Sequence, residues 1–261
     1  MITIAIEDEI TNINVILSPT GWYKRKFKHE YQGIKDFKGN ENAAHDWIKR
    51  KSEKWLKNLK IHEKEALTSY TNFALNINTY LREFKEPVEE KGNLTEEEWN
   101  DYQKHNNQIK NIDSALQKSK TSKAMYVYRR VEEIQFYSVA ELKNESLKLR
   151  TGTKINNESF KKLLDRFILN QTEYQDPAYV STSVSQDPTG VKFAAMRPIL
   201  LKIKVPIGAS IGFFGKKIAK NFDMQNEGLI ARNSKFKYRN AVKTIDKNGF
   251  EIISINVDLL I

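Results

Sequence analysis

The chain has 261 residues, of which 39% are apolar and 11% aromatic, so it forms one large domain or two small ones with a substantial core. It contains no cysteine, which excludes disulfides, thiolate catalysis and cysteine-type zinc sites, and its four histidines lack the spacing of a helical metal site. The formal net charge is +10, but basic residues are interleaved with acidic ones, so nucleic acid is not favoured as the principal partner.

Residues 1–40 carry no recognisable chemistry. They open with a β-like run at residues 2–6 and include a Ser-Pro-Thr-Gly turn signal at residues 18–21. We predict that residues 1–40 are an N-terminal extension or linker and that residues 41–261 form the main domain. No secretory signal is visible at the amino terminus, and no stretch approaches the roughly 20 apolar residues of a membrane span.

Three helices are predicted between residues 41 and 118. The first begins near Asn42, a plausible N-cap. The second carries an apolar stripe at helical spacing, made of Ala66, Tyr70, Phe73, Ala74, Ile77, Leu81 and Phe84. The third opens with a capping box at residues 95–98, Thr-Glu-Glu-Glu.

From residue 124 onward the pattern changes from helical to β-type. Alternating or continuous apolar runs occupy residues 125–128, 179–183, 199–205, 229–231, 236–245 and 253–261, with a weaker helical segment at 159–168. Helices followed by strands indicate an α+β fold rather than an alternating α/β fold.

Three polar groups interrupt these β-type runs. They are Tyr128-Arg129-Arg130, Ser181-Thr182-Ser183 and Gln225-Asn226-Glu227. In a strand, residues two apart share a face, so Gln225 and Glu227 should point the same way and Arg130 should point away from Arg129. A fixed guanidinium binds phosphate bidentately, a small hydroxyl orients a carboxylate, and the carboxylate stabilises a developing cation.

This order of an arginine, an S-T-S strand and a Q-x-E turn resembles the arginine-type mono-ADP-ribosyltransferases. Further segments agree with it: residues 193–199 resemble the family's phosphate-nicotinamide loop, 228–234 resemble the strand after the catalytic glutamate, and 69–82 resemble the helix over the cofactor. Within that family the chain looks similar to the Rho-inactivating bacterial exoenzymes and to the catalytic half of binary actin-modifying toxins. The resemblance implies an α+β fold in which two roughly perpendicular sheets form an NAD cleft, flanked by N-terminal helices, and makes residues 41–261 the catalytic domain.

The resemblance also implies roles for individual residues. NAD is the co-substrate, no metal is needed, and Glu227 stabilises the positive charge that develops on the ribose as nicotinamide leaves. Ser181 hydrogen-bonds Glu227, and Arg129 and Gln225 complete the catalytic group. The residues expected to contact the cofactor are Tyr70, Arg82, Arg129, Arg130, Ser181, Thr182, Ser183, Phe193, Arg197 and Glu227.

The residue two positions before the catalytic glutamate bears on the protein substrate. The Rho-inactivating branch has glutamine there and modifies an asparagine, and a neutral amide such as Gln225 pairs with another amide, whereas a guanidinium prefers an anion. Phe222 matches the aromatic that this branch uses to touch its target.

Three hypotheses stay open for the function. The chain modifies an asparagine of a Rho-family GTPase; it modifies an arginine of actin or another cytoskeletal or signalling protein; or it is an inactive or purely binding relative. The family further implies a side NAD glycohydrolase activity and a monomer that is secreted by a bacterium and acts in the host cytosol.

Overall fold

The structure, a computed structural model, describes residues 33–136, 154–186, 197–215, 217–218 and 226–261. From Asp36 onward the described residues form one compact unit. The helices are α1 (Glu41–Leu56), α2 (Ile61–Phe84), α3 (Glu96–Gln117) and the short α4 (Asn157–Leu163), which continues into a π-helical turn at Leu164–Ile168. The strands are β1 (Met125–Val131), β2 (Glu173–Asp176), β3 (Val180–Ser183), β4 (Ile199–Val205), β5 (Ile211–Phe213), β6 (Glu227–Ile230), β7 (Ser234–Ile245) and β8 (Glu251–Leu260). The predicted α+β class is confirmed.

The eight strands are hydrogen-bonded in the order β2-β7-β8-β4-β1-β3-β6-β5. Strand β1 pairs with β4 along its whole length, from Met125↔Val205 to Val131↔Ile199, whereas it pairs with β3 only at Tyr128↔Ser183. The family resemblance implies two sheets, and the structure joins a five-stranded part and a three-stranded part through this narrow contact. The polar groups of β1, β3 and β6 therefore lie at or beside the junction.

The helix starts are set by side chains that reach the first free N–H groups. Helix α1 is capped by Asn40, whose side chain accepts a hydrogen bond from the Ala43 N–H at 3.1 Å, so the prediction of Asn42 as the cap is wrong by two residues. The predicted capping box of α3 is confirmed, because the Thr95 side chain accepts from the Glu98 N–H and the Glu98 carboxylate accepts from the Thr95 N–H.

Helix α2 carries the predicted stripe with one exception. Tyr70, Ile77 and Leu81 are at most 1% exposed, but Phe73 is 61% exposed. The backbone at Phe73 is not helical, with φ −131° and ψ 29°, so the 3.6-residue period breaks there and the ring turns outward. The stripe packs against Tyr179 and Leu229, which connects α2 to strands β3 and β6.

Helices α2 and α3 are held together by a buried carboxylate. Glu63 is fully buried, accepts from the Ser114 hydroxyl at 2.6 Å, and pairs with the Lys118 ammonium at 2.6 Å. Burial alone raises the pKa of Glu63, but the bonds from Lys118, Ser114 and the Lys60 N–H outweigh it and lower that pKa to about 2. The bonds fix the orientation of α2, which presents Tyr70 and Arg82 to the sheet junction.

Candidate active site

Glu227 is the first residue of β6 and bonds to a hydroxyl on the neighbouring strand. Strand β3 pairs antiparallel with β6, placing Ser183 opposite Glu227 and Ser181 on the same face two residues away. The Ser181 hydroxyl hydrogen-bonds the half-buried Glu227 carboxylate. Burial raises the pKa of Glu227 to about 7, and the bond from Ser181 and the charge of Arg129 limit that rise. The carboxyl group is thus close to its midpoint of ionisation at neutral pH.

Asn226 fixes the backbone that leads into Glu227. Its φ is +50°, a left-handed conformation that asparagine tolerates better than most residues. It is 1% exposed, and its amide donates to the Glu41 carbonyl at 3.4 Å and to the Ser185 hydroxyl at 3.3 Å. The asparagine of the Q-N-E group is therefore an anchor between β6, β3 and the start of α1, a role that its sequence position alone did not reveal.

Arg129 lies beside this pair. Its Nη1 donates to the Ser181 carbonyl at 2.7 Å, the one hydrogen bond that the described residues provide for it, whereas a guanidinium has five N–H groups. Burial lowers the pKa of Arg129, the negative charge of Asp176 raises it, and the positive charges of Arg82 and Arg197 lower it again. Those influences place three guanidinium groups in one region.

The other two arginines each pair with a carboxylate. Arg82 Nη2 lies 3.1 Å from Asp176 Oδ2, with the Arg82 side chain 42% exposed and Asp176 6% exposed. Arg197 Nε lies 3.5 Å from Glu132 Oε1. With Arg129, the described residues of this region bring three guanidinium groups together, and these suit an anionic ligand.

Tyr70 and Asn78 connect helix α2 to the Ser181–Glu227 pair. The Tyr70 hydroxyl lies 3.3 Å from Ser181 Oγ and accepts from Asn78 Nδ2 at 2.9 Å. The side-chain amide oxygen of Asn78, Oδ1, in turn accepts a hydrogen bond from the backbone N–H of Tyr179 at 3.2 Å. Tyr179 lies two residues before Ser181. The sequence analysis did not single out Asn78 as a site residue. It lies eight residues after Tyr70, and the two side chains are on neighbouring faces of the same helix.

Arg130 does not join the cluster. Its Nη2 lies 3.1 Å from Asp246 Oδ2, with the two side chains 4% and 1% exposed. Asp246 also accepts from the N–H groups of Asn248 and Phe250, so this ion pair ties β1 to the turn between β7 and β8. Alternation along β1 puts Arg130 on the face opposite Arg129, where its ion pair with Asp246 has a structural role, and the expected contact of Arg130 with the cofactor stays a prediction.

Thr182 and Ser183 also have other partners than the expected cofactor. Thr182 is on the opposite face of β3 from Ser181, and its hydroxyl donates to the Gly228 carbonyl at 2.7 Å. The Ser183 hydroxyl accepts from the Ser185 N–H at 3.1 Å. Both therefore brace β3 against β6 and the following turn, and only Ser181 of the S-T-S group reaches the Glu227 carboxylate and Tyr70 in the described contacts.

Phe193, Phe222 and Gln225 lie outside the described residues. Their expected contacts stay predictions.

Asp113 on α3 is a second residue that the sequence did not single out. Its Oδ1 accepts from the Tyr179 hydroxyl at 2.7 Å, and its Oδ2 accepts from Arg232 Nε at 2.8 Å. Tyr179 precedes β3 and Arg232 follows β6, so one carboxylate ties both strands that carry the Ser181–Glu227 pair. No local motif marks Asp113, because both partners are distant in sequence.

The residues fit NAD. Arg82, Arg129 and Arg197 suit the two negative charges of a diphosphate, and the Ser181–Glu227 pair suits a ribose with developing positive charge. Among the described residues, no group of three or more histidine, aspartate or glutamate side chains is arranged to hold a metal ion.

Comparison with known proteins gives the same result. The profile of the family described as ADP-ribosyltransferase exoenzyme matches residues 44–260. The "Mono-ADP-ribosyltransferase C3" of a Clostridium botulinum D phage is 30% identical over 199 residues, which are 76% of this chain and 69% of that protein. The solved structure of Plx2a, an ADP-ribosyltransferase toxin from Paenibacillus larvae, is 29% identical with a TM-score of 0.70 and covers 87% of this chain and 100% of that one.

A binary-toxin component shares the fold. The toxin BECa of a C. perfringens binary enterotoxin, solved with NADH, has a TM-score of 0.71 at 21% identity, over 88% of this chain and 49% of its own. The chain therefore belongs to the ADP-ribosyltransferase exoenzyme family and is an NAD-dependent protein mono-ADP-ribosyltransferase.

Proposed function

We propose that this enzyme is a toxin that transfers ADP-ribose from NAD to an asparagine of a Rho-family GTPase and releases nicotinamide. A side NAD glycohydrolase activity is expected, because water can replace the acceptor. The observation that carries the proposal is the contact of Glu227, Ser181 and Arg129, three groups from separate strands that meet where β1, β3 and β6 adjoin.

Each group has a chemical task in this proposal. NAD, when bound, supplies the ADP-ribose and the nicotinamide leaving group. Arg129, Arg82 and Arg197 hold the diphosphate. Glu227 acts in its ionised form, its partly desolvated carboxylate stabilising the positive charge on the ribose. Ser181 orients that carboxylate, and Tyr70 fixes the rotamer of Ser181.

The choice of asparagine in a Rho-family GTPase rests on Gln225 and Phe222. A neutral amide two residues before the glutamate suits an amide acceptor, and an aromatic side chain three residues further back suits a protein contact. Both observations favour this target over an arginine of actin, which stays the second candidate.

Label transfer from NAD carrying radioactive adenylate tests this proposal. We expect label on a purified Rho-family GTPase, with the modified residue identified as asparagine by mass spectrometry, and none on purified actin. Label on actin alone would establish the second candidate. If this enzyme releases no nicotinamide from NAD, the proposed transfer is wrong and the chain is an inactive relative.

The Gln225→Ala variant tests the role of the amide. We expect NAD hydrolysis to stay within about twofold of wild type, while transfer to the GTPase falls by roughly tenfold or more, because a lost interface anchor commonly costs more than 1 kcal/mol. Gln103→Ala, which removes an exposed amide from α3, is the matched control and should change neither rate. Equal losses of hydrolysis and transfer in Gln225→Ala would contradict a role toward the acceptor.

The setting of the enzyme is also a proposal. We infer that residues 41–261 are the catalytic domain, that residues 1–40 are an extension, and that a monomeric enzyme is secreted by a bacterium and acts in the host cytosol. The names of the relatives, an exoenzyme family and a toxin, support the setting. Of the helices that the structure describes, none has both the length and the apolar character needed to cross a membrane.

A further inference from the structure

Helix α2 has an exposed face without charge. Residues 66–81 contain no Asp, Glu, Lys or Arg, although 29% of the chain is charged. Burial of one face does not explain this, because Asn72, Phe73, Leu75, Asn76 and Thr79 are all exposed. Phe73 is 61% exposed and Leu75 is 76% exposed. We call residues 72–76 the α2 bend.

The bend is stabilised by local hydrogen bonds. At Phe73 the helical geometry is interrupted, and the Thr68 carbonyl accepts from the Thr71 hydroxyl at 2.8 Å and from Asn72 Nδ2 at 3.1 Å. Side chains thus supply bonds to a carbonyl at the point where the helix is interrupted. The break in the helix at Phe73 is therefore supported by hydrogen bonds from the two residues before it.

The α2 bend adjoins the active site. From Ala74 onward α2 is regular, so Leu75, Asn78 and Arg82 lie at i, i+3 and i+7 on one face. Asn78 bonds to Tyr70, and Arg82 pairs with Asp176, so this face looks toward the NAD-binding residues. Leu75 lies about 10 Å from Arg82 along the helix axis, at a rise of about 1.5 Å per residue.

The α2 bend lies close enough to Glu227 for a protein acceptor to cover both. A typical interface covers about 800 Å² on each partner, a disc of roughly 16 Å radius. Tyr70 lies three residues before Phe73 in α2. Its hydroxyl reaches Ser181, which hydrogen-bonds Glu227. A protein that presents a side chain to Glu227 and covers a disc of this radius can therefore reach the bend.

The chemistry of the surface also suits a protein partner. Interface cores are depleted of charge and enriched in aromatic side chains. We propose that Phe73 and Leu75 are an apolar anchor for the protein that accepts ADP-ribose, and that they bind an uncharged, apolar patch beside its modified residue. This inference rests on the proposed transfer to a protein.

Leu75→Glu tests the anchor. Glutamate is a good helix former, and positions 71 and 79 are threonines, so the variant keeps the helix and gains no i±4 ion pair. With a Rho-family GTPase as acceptor, or actin if wild type labels only actin, we expect KM for the acceptor to rise about tenfold or more. NAD hydrolysis should stay within about twofold of wild type, which also shows that the variant folds. Phe73→Ser should act in the same direction.

Leu169→Glu is the matched control, because Leu169 is also an exposed leucine, at 72%. This variant should leave both NAD hydrolysis and protein transfer unchanged. An unchanged acceptor KM in Leu75→Glu and Phe73→Ser overturns the anchor while transfer by wild type continues. If wild type is a dimer that Leu75→Glu converts into monomers with full transfer, the surface belongs to a second copy and the inference is wrong. If wild type labels neither the GTPase nor actin, the proposed function fails and the anchor falls with it.

Discussion

Glu227→Gln separates the catalytic role of the carboxylate from its effect on stability. The amide keeps the size of the side chain and can still hydrogen-bond Ser181, but it cannot stabilise a positive charge on the ribose. We expect NAD hydrolysis and protein transfer to fall on the order of 10²-fold or more, since a preorganised charge-stabilising group commonly contributes that much. NAD binding should persist, because Arg82 and Arg129 are held by α2 and β1.

The same substitution should raise stability at high pH. Burial raises the pKa of Glu227 from 4.5 to about 7, so the folded protein disfavours the ionised form that the unfolded chain accepts. At about 1.4 kcal/mol per pKa unit the upper limit is about 3 kcal/mol, and solvent at the half-buried carboxylate reduces it to about 1–2 kcal/mol. Because the raised pKa belongs to the folded state, the cost is absent below pH 4.5 and complete above pH 7.

Thermal unfolding and nicotinamide release measure the two effects together. At pH 8 the variant should melt roughly 3–6 °C above wild type, and at pH 4 the two should melt together. Glu173→Gln, in the exposed part of β2, is the control and should change neither activity nor the pH dependence. A variant that releases nicotinamide at the wild-type rate, or that is less stable than wild type at pH 8, would refute the reasoning.

Two further substitutions test the groups around Glu227. Because the Ser181 hydroxyl lowers the pKa of Glu227, Ser181→Ala should move the midpoint of kcat/KM for NAD hydrolysis above pH 7, with activity recovering as pH rises; an unmoved midpoint contradicts that bond. Asp113→Asn should lower stability by about 1–3 kcal/mol and kcat by about tenfold with little change in the KM for NAD, because β3 and β6 lose a shared tie. Asp101→Asn, exposed on the same helix, is its control, and equal kcat values in the two variants would argue against a positioning role.

Local sequence rules succeeded where the interacting groups are close in the chain. The Thr95–Glu98 capping box spans three residues, and the burial of Tyr70, Ile77 and Leu81 follows from a regular helical period. The same rules placed the N-cap of α1 at Asn42, two residues too late. Asn40 is the cap, because its side chain has the geometry to reach a free N–H. The rules failed also at Phe73, because nothing in the stripe indicates that the backbone leaves the helix there.

The chemistry of the site could be predicted from residue types, but its geometry could not. The order of the arginine, S-T-S and Q-x-E groups resembles a known family, and through that resemblance Arg129, Ser181 and Glu227 could be selected from the sequence. The partner of Arg130 depends on a turn 116 residues later, and Asp113 meets Arg232 across 119 residues. No pattern within one segment specifies such pairs, because they form only when separate elements pack.

The sequence by itself determined the fold class, through the periodicity of its helices and strands, and the family, through the order of its arginine, S-T-S and Q-x-E groups. Tertiary structure alone decided which groups meet and how strongly their pKa values change. Tyr70 reaches Ser181 across 111 residues, and Glu227 is desolvated by atoms from other strands and helices. The cost of burying a charge depends on everything packed around it, and that environment exists only in the folded chain.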